Sequence, residues 1–304
     1  MIKHAFHAIF PLICISICMT WSGCSPGGSR PDDDFLQYDT GRYERVSINY
    51  DILGKGDTAL IFIHGWNLDH TYWDYSVDKL KERYTIISLD LAGHGNSGKD
   101  RTTWTAESFG RDISQIISKQ KLKNVVLVAH SLGGEIALEV RNQIPEKIIA
   151  IIGVDNFKDV GFKITPELRI SLKQYLTKFK RNYEEMADSV ARENIRSDNR
   201  DLINRIVKDY KTADPKIALA IYKNMIPKYA SDKDQLQKLN FKLRIIASDY
   251  APFNEDALRR YTPFGYEIIW INNAGHFPMV EQPEQFLAAL KKFLSDLQTA
   301  GAQF

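Results

Sequence analysis

The run Val128-Ala129-His130-Ser131-Leu132-Gly133-Gly134 decides how this chain is read. Before it, residues 124–129 are short, apolar and rich in β-branched side chains, as a buried parallel strand is. After it, residues 132–144 carry a helical pattern that Pro145 stops. A serine wedged between strand and helix stands on a sharp turn with its hydroxyl projecting out of the sheet. Small residues at Ala129 and Gly133 leave room for such a turn. The backbone N–H of Leu132 then points to where an oxyanion would form, reinforced by the helix N-terminus. The usual elbow of this kind has glycine on both flanks; here the first is Ala129.

Outward from the elbow, strand-like runs alternate with amphipathic stretches. Residues 43–53 read as an alternating strand and 59–63 as a continuously apolar one; 84–89, 148–154, 243–247 and 267–271 follow. Residues 106–119 set Phe109, Ile113, Ile116 and Ile117 on one helical face. Pro283 opens a last helix, with Phe286, Leu287, Leu290, Phe293, Leu294 and Leu297 as its buried stripe. Strand and helix in this alternation imply an α/β fold, a mostly parallel central sheet with helices on both faces. Residues 158–240 hold no convincing strand but helical stretches at 166–180 and 183–195. They fall between two strands, so a helical cap inserted between core segments 41–157 and 241–304 is expected. This segment has 18 Lys and Arg against 12 Asp and Glu. A solvated helix surface accounts for that excess, with attraction of anionic substrates or headgroups as the alternative.

The 304 residues are 44% hydrophobic with a formal net charge of +2, enough chain for a substantial core and no basic balance calling for nucleic acid. Three cysteines exclude a disulfide scaffold, and no Cys/His cluster has zinc spacing. Residues 1–24 read as an export segment: Lys3, then an apolar stretch from Ala5 to Met19, then Ser22-Gly23-Cys24. This resembles a bacterial lipoprotein signal, which implies Cys24 as the lipidated first residue and a membrane-anchored envelope protein. An ordinary secretory signal cleaved nearby is the alternative. Residues 25–40, with Gly, Pro, Ser and the run Asp32-Asp33-Asp34, read as a solvated tether rather than a metal site.

Three further loops share the elbow's edge of the sheet. Residues 60–66 end a strand on His64-Gly65-Trp66, where the N–H of Trp66 suits a second oxyanion donor. Asp90-Leu91-Ala92-Gly93-His94-Gly95-Asn96-Ser97-Gly98 is glycine-rich and suits a tight turn. Asn273-Ala274-Gly275-His276-Phe277 follows the last strand, and His276 is placed to reach Ser131 as general base. Together these motifs, in this order, resemble the α/β-hydrolase superfamily and its serine esterase-like branch with an inserted cap, over roughly residues 43–297. The resemblance implies His276 as the base, His64 and His94 as loop buttresses, and His130 packed behind the elbow. Ser131, where epoxide hydrolases and haloalkane dehalogenases carry Asp, speaks against both. In most of the family the acid follows the strand after the cap. Here that turn reads Ser248-Asp249-Tyr250-Ala251-Pro252, with Ala251 in the acid's place and Asp249 two residues early. A minority places the acid one strand sooner, where Gly153-Val154-Asp155-Asn156 ends a buried strand. Asp155 is the preferred acid and Asp249 the alternative; a capping or loop aspartate is the plain reading of Asp155.

The expected activity is that of a serine hydrolase cleaving a carboxylic ester of a small-molecule acyl substrate through an acyl-enzyme. Ser131 is the nucleophile, with oxyanion donors at Trp66 and Leu132, and no metal or organic cofactor is called for. Trp66, Trp73 and Phe157 are candidates for an apolar acyl pocket, or for ordinary core. Two rivals stand beside this reading: a carbon–carbon bond hydrolase acting on a β-diketone-like substrate with the same triad, and a catalytically silent binding protein on the same fold. For the export segment, Cys24→Ser is expected to abolish lipid attachment and release the protein from washed membranes; unchanged membrane partitioning would count against Cys24 as the anchor.

Overall fold

Leu60 and Phe62 pack into one hydrophobic cluster and Ile61 and Ile63 into another, and all four side chains are fully buried. Successive strand residues face opposite sides of a sheet, so a continuous apolar run means a strand covered on both faces. Val126 and Val128 repeat the split against Val125 and Leu127. The computed structural model describes residues 45–301. The expected export segment at 1–24, with Cys24, and the expected tether at 25–40 lie outside these residues.

Seven strands form one sheet: β1 (Tyr50–Leu53), β2 (Ala59–Ile63), β3 (Thr85–Leu89), β4 (Val125–His130), β5 (Ile148–Val154), β6 (Leu243–Ser248) and β7 (Tyr266–Ile271). Their spatial order is β1-β3-β2-β4-β5-β6-β7, with β1 antiparallel to β3 and every other pair parallel. The register sets Ala129 beside Ile63, His130 beside Val154, Val154 beside Ile246 and Ser248 beside Ile271. The carboxyl ends of β2, β4, β5, β6 and β7 therefore emerge together at one edge, where open parallel sheets hold their ligands.

The first strand is shorter than the alternating run at 43–53 suggests. Only its last four residues pair with β3. The main chain just before them is engaged by the glycine-rich loop instead: Gly98 N–H donates to the Ser47 carbonyl (2.8 Å), and Asn49 N–H donates to Ser97 Oγ (2.9 Å). Alternation signalled a half-buried extended segment without revealing which partner it would meet.

Helices cover both faces. After a 3₁₀ turn at His70–Trp73 comes α1 (Asp74–Leu80), followed by α2 (Ala106–Lys119) and α3 (Gly133–Gln143). Four helices separate β5 from β6: α4 (Pro166–Arg181), α5 (Tyr183–Glu193), α6 (Arg200–Thr212) and α7 (Pro215–Leu236). The chain ends through α8 (Glu255–Tyr261), α9 (Pro278–Glu281) and α10 (Pro283–Gly301). Val77 of α1 with Phe286, Leu290 and Phe293 of α10 joins the cluster on one face, whereas Phe109 and Ile113 of α2 and Ile136 of α3 join the other.

Three of the four helices between β5 and β6 begin on a side-chain cap. Thr165 accepts from Leu168 N–H, Asn199 from Asp201 and Leu202, and Asp214 from Lys216 and Ile217. Such caps contribute about 1 kcal/mol each. Pro166 and Pro215 stand next to two of these caps, where a missing N–H is harmless. Lys228 in α7 ties this group to the core by pairing with Glu107 of α2 and with Glu139 of α3 (2.5 Å).

Candidate active site

β4 ends at His130, and the next residue, Ser131, turns into the left-handed region at φ 51°. For a residue with a side chain that conformation is unfavourable by about 1–2 kcal/mol. Its N–H still donates to the Val154 carbonyl (3.0 Å), and its carbonyl accepts from Gly134 N–H (2.8 Å), so the chain passes from strand to helix within one turn. Gly133 is required at this bend, because a Cβ there would stand 2.8 Å from the Ile63 carbonyl oxygen. The Asn156 amide closes the turn from the neighbouring strand end, donating to the Ala129 carbonyl at 2.9 Å.

Asp155 repeats the device one strand over. It follows β5 with φ 52°, and its N–H donates to the Ile246 carbonyl (2.9 Å). Its side chain is buried. Oδ2 lies 2.5 Å from His276 Nδ1, while Oδ1 accepts from Ser248 Oγ (2.6 Å) and Ser248 N–H (3.1 Å). The ammonium of Lys158 is 2.7 Å from the same Oδ1. Burial pushes this carboxyl up; the Lys158 charge and the His276 contact outweigh it and hold Asp155 well below the usual carboxylate range.

His276 comes from the loop after β7. Nε2 is 2.9 Å from Ser131 Oγ, so the ring spans the serine and Asp155 through its two nitrogens. With Nδ1 bearing the proton toward Asp155, Nε2 presents a lone pair to the hydroxyl. Tyr250 Oη lies 3.2 Å from Nδ1. The other acidic residue considered, Asp249, is turned to the surface and pairs with Arg196 at 3.2 Å.

The loop carrying His276 is held by a residue the sequence motifs do not reveal. Glu281 is buried, and its Oε1 accepts the N–H groups of Gly275 and Phe277, each at 3.1 Å. Its Oε2 accepts those of Arg196 (2.8 Å) and Ser197 (2.9 Å), in the segment between α5 and α6. His276 N–H itself donates to the Asn194 carbonyl at 2.7 Å. Gly275 has no room for a side chain, since a Cβ would run into Asn194 O and Arg196 N. Glutamate five residues after a histidine carries no recognisable pattern; only the folded loop shows what it binds.

His64, His94 and His130 pack close to the site. His64 uses both ring nitrogens, Nδ1 toward the Gly65 carbonyl (2.8 Å) and Nε2 as acceptor from Leu91 N–H (2.9 Å). His94 Nδ1 donates to the Ala92 carbonyl (3.1 Å). His130 Nε2 donates to the His276 carbonyl (2.7 Å), and the two rings are 4.7 Å apart. Burial drives His130 down to about 3, so beside His276 it is a neutral donor, not a competing cation.

Ser131 opens onto a cavity of about 110 Å³. Trp66, Leu132, Phe157, Ile221 and Met225 line it together with Tyr210, Tyr222, Asp159 and Asp232, so its wall is mixed rather than purely apolar. Trp66 is fixed by its indole N–H, which donates to the Ala218 carbonyl (2.9 Å). Trp73 belongs to the core, fully buried against Phe62 and Phe286. Among the described residues, neither the Trp66 nor the Leu132 main-chain N–H donates to a backbone carbonyl.

Residues 60–289 match the model of the alpha/beta hydrolase family. A pimeloyl-[acyl-carrier protein] methyl ester esterase of Yersinia enterocolitica is 24% identical over 261 residues, 82% of this chain and 98% of that protein. An uncharacterised protein of Mycobacterium tuberculosis is 34% identical over a stretch of 101 residues, and the chain spans only 29% of its length. An esterase structure from Thermogutta terrifontis superposes with a TM-score of 0.72 at 22% identity, covering 83% of this chain and 94% of that one. This chain belongs to the alpha/beta hydrolase family.

Glu281 is the part of this arrangement most exposed to test. Glu281→Ala leaves four N–H groups without their acceptor and is expected to lower unfolding free energy by about 3 kcal/mol in urea titrations. Turnover is expected to fall about 100-fold in the fraction that remains folded, because the histidine loop loses its seat. Wild-type stability in this variant would show that the loop is held by other means.

Proposed function

We propose that this hydrolase cleaves a carboxylic ester through an acyl-enzyme on Ser131, with His276 as general base and Asp155 as the acid of the triad. The observation that carries the proposal is the single imidazole bridging Ser131 Oγ at 2.9 Å and Asp155 Oδ2 at 2.5 Å. Ser131 Oγ attacks the ester carbonyl carbon as its proton passes to His276 Nε2. The carbonyl oxygen becomes an oxyanion, held by the main-chain N–H groups of Trp66 and Leu132, the latter at the start of α3. Collapse of the tetrahedral species expels the alkoxide, which takes the proton from Nε2 and leaves as the alcohol. Water then enters, gives its proton to Nε2 and attacks the acyl group, and a second collapse frees the acid and returns the proton to Ser131. Asp155 keeps the proton of the resting ring on Nδ1 and balances the imidazolium formed in each step.

Esters are favoured as the substrate class by the esterases among its relatives, the Yersinia protein and a putative esterase/lipase of Mycoplasma genitalium that is 25% identical over 256 residues. The helices α4–α7 act in this reading as a cap over the cavity, through which the acyl group is recognised.

A fluorophosphonate probe is expected to label the wild-type protein at Ser131 and to leave Ser131→Ala unlabelled. That variant should keep less than about one thousandth of the kcat for p-nitrophenyl esters while unfolding like the wild type. Labelling at another residue, or activity above about a tenth, removes Ser131 as nucleophile. Between the two acids, Asp155→Asn is expected to lower kcat by about 10⁴ through the wrong imidazole tautomer. Asp249→Asn should cost about tenfold or less, the effect of a screened surface charge; the reverse order of losses would make Asp249 the acid.

A further inference from the structure

Lys158 takes no part in the chemistry proposed above, yet its ammonium lies 2.7 Å from Asp155 Oδ1 with only 2% of its side chain exposed. Lysine is almost never buried so completely without a partner that requires it. Removing its charge from water is unfavourable, and an apolar side chain would fill the same space more favourably. Its position is fixed from two directions. Asn254 N–H donates to the Lys158 carbonyl at 2.8 Å, and the Tyr250 ring faces the ammonium at 3.9 Å, with Phe253 at 5.7 Å. Tyr250 in turn carries the hydroxyl that lies 3.2 Å from His276 Nδ1. Lys158 thus touches the oxygen of Asp155 that His276 does not use, and the ring whose hydroxyl reaches His276.

The charged and titratable groups around this one come from six segments. Asp155 and Asp159 share its own loop, and burial pushes Asp159 up to about 6. Tyr250 stands on the loop after β6, its hydroxyl held neutral by burial. Arg196, between α5 and α6, is directed to Asp249 and sits 5.9 Å from the Tyr250 ring. His276 comes from the loop after β7, with neutral His130 behind it and Glu281 committed to four main-chain N–H groups. A buried carboxylate in contact with an imidazole favours the protonated ring, and a cation on the carboxylate's far side opposes this.

We infer that Lys158 is a positioning residue for the Asp155–His276 pair, holding Asp155 so that Oδ2 faces Nδ1 and offsetting the carboxylate's charge from its far side. This rests on the reading of Ser131, His276 and Asp155 as a hydrolytic triad.

The test is the pH dependence of kcat/KM for p-nitrophenyl butyrate, from about pH 5.5 to 9, in the wild type, Lys158→Gln, Lys158→Met and Lys158→Arg. In the neutral variants the Asp155 carboxylate lacks the cation on its far side. A loss of about tenfold or more near pH 6 is expected, recovering as the pH rises, with KM changed by less than about threefold. Lys158→Arg is expected to restore the wild-type pH dependence. A loss equal at every pH, or an arginine variant that behaves like glutamine, overturns the inference. So does failure of both neutral variants to fold while the arginine variant folds and works, since the pair would then be purely structural. Fluorophosphonate labelling of the wild type separates the two readings: no labelling at Ser131 sinks the triad itself, whereas labelling with pH-independent losses sinks Lys158 alone.

Discussion

Left-handed backbone at the ends of parallel strands is the constraint on which the site depends. Ser131 and Asp155 sit at φ 51° and 52°, and Asn67 and Asn273 at 58° and 57° in the loops after β2 and β7. Each such residue is strained by about 1–3 kcal/mol unless its surroundings impose the conformation. Here the sheet imposes it. The Ser131 N–H continues the ladder to Val154, and the Asp155 N–H continues it to Ile246, one residue beyond each strand's regular end. Each side chain is therefore released at the edge of the sheet while its main chain is still anchored. A more relaxed turn would free the backbone sooner and lose the common origin that lets one imidazole reach both groups.

Two buried carboxylates then perform different tasks with the same charge. Asp155 is satisfied by side chains, with His276 on one oxygen and Ser248 and Lys158 on the other. Its orientation is thus set by side chains from three separate segments. Glu281 is satisfied by four main-chain N–H groups and carries no side-chain partner in those contacts. Such an acceptor fixes loops to one another and touches the histidine only through the main chain that carries it. Between them His276 is held by its ring nitrogens and by its own N–H and carbonyl, the latter accepting from His130.

The helices between β5 and β6 enter the site as structure, not only as cover. Asn194, Arg196 and Ser197 hold the histidine loop through main-chain atoms, while Tyr210, Tyr222 and Asp232 contribute to the cavity wall. Lys228 anchors α7 to α2 and to α3, the helix that starts at the turn of Ser131. The helices between β5 and β6 therefore both hold the loop that carries His276 and line the cavity onto which Ser131 opens.

The elbow at 128–134, the buried strands and the histidine after the last strand were legible in the sequence because each depends on local rules. A strand covered on both faces must be apolar throughout, and a sharp turn before a helix demands small neighbours. Pairing preferences are less local: the alternating run at 43–53 yielded a strand of four residues because a loop 40 to 50 positions away took up the preceding main chain. The sequence prefers Asp155 and keeps Asp249 as the alternative for the same reason. In the structure Asp155 meets His276 across 121 residues of sequence and Ser248 across 93, while Asp249 is drawn to Arg196. Lys158 and Glu281 stood in no motif at all, since nothing near them in the chain marks what they touch. The sequence alone determined the fold and the residue types at its catalytic edge; only tertiary structure decided which carboxylate faces the imidazole, because hydrogen bonds between distant loops exist only once the sheet has set the register of its strand ends.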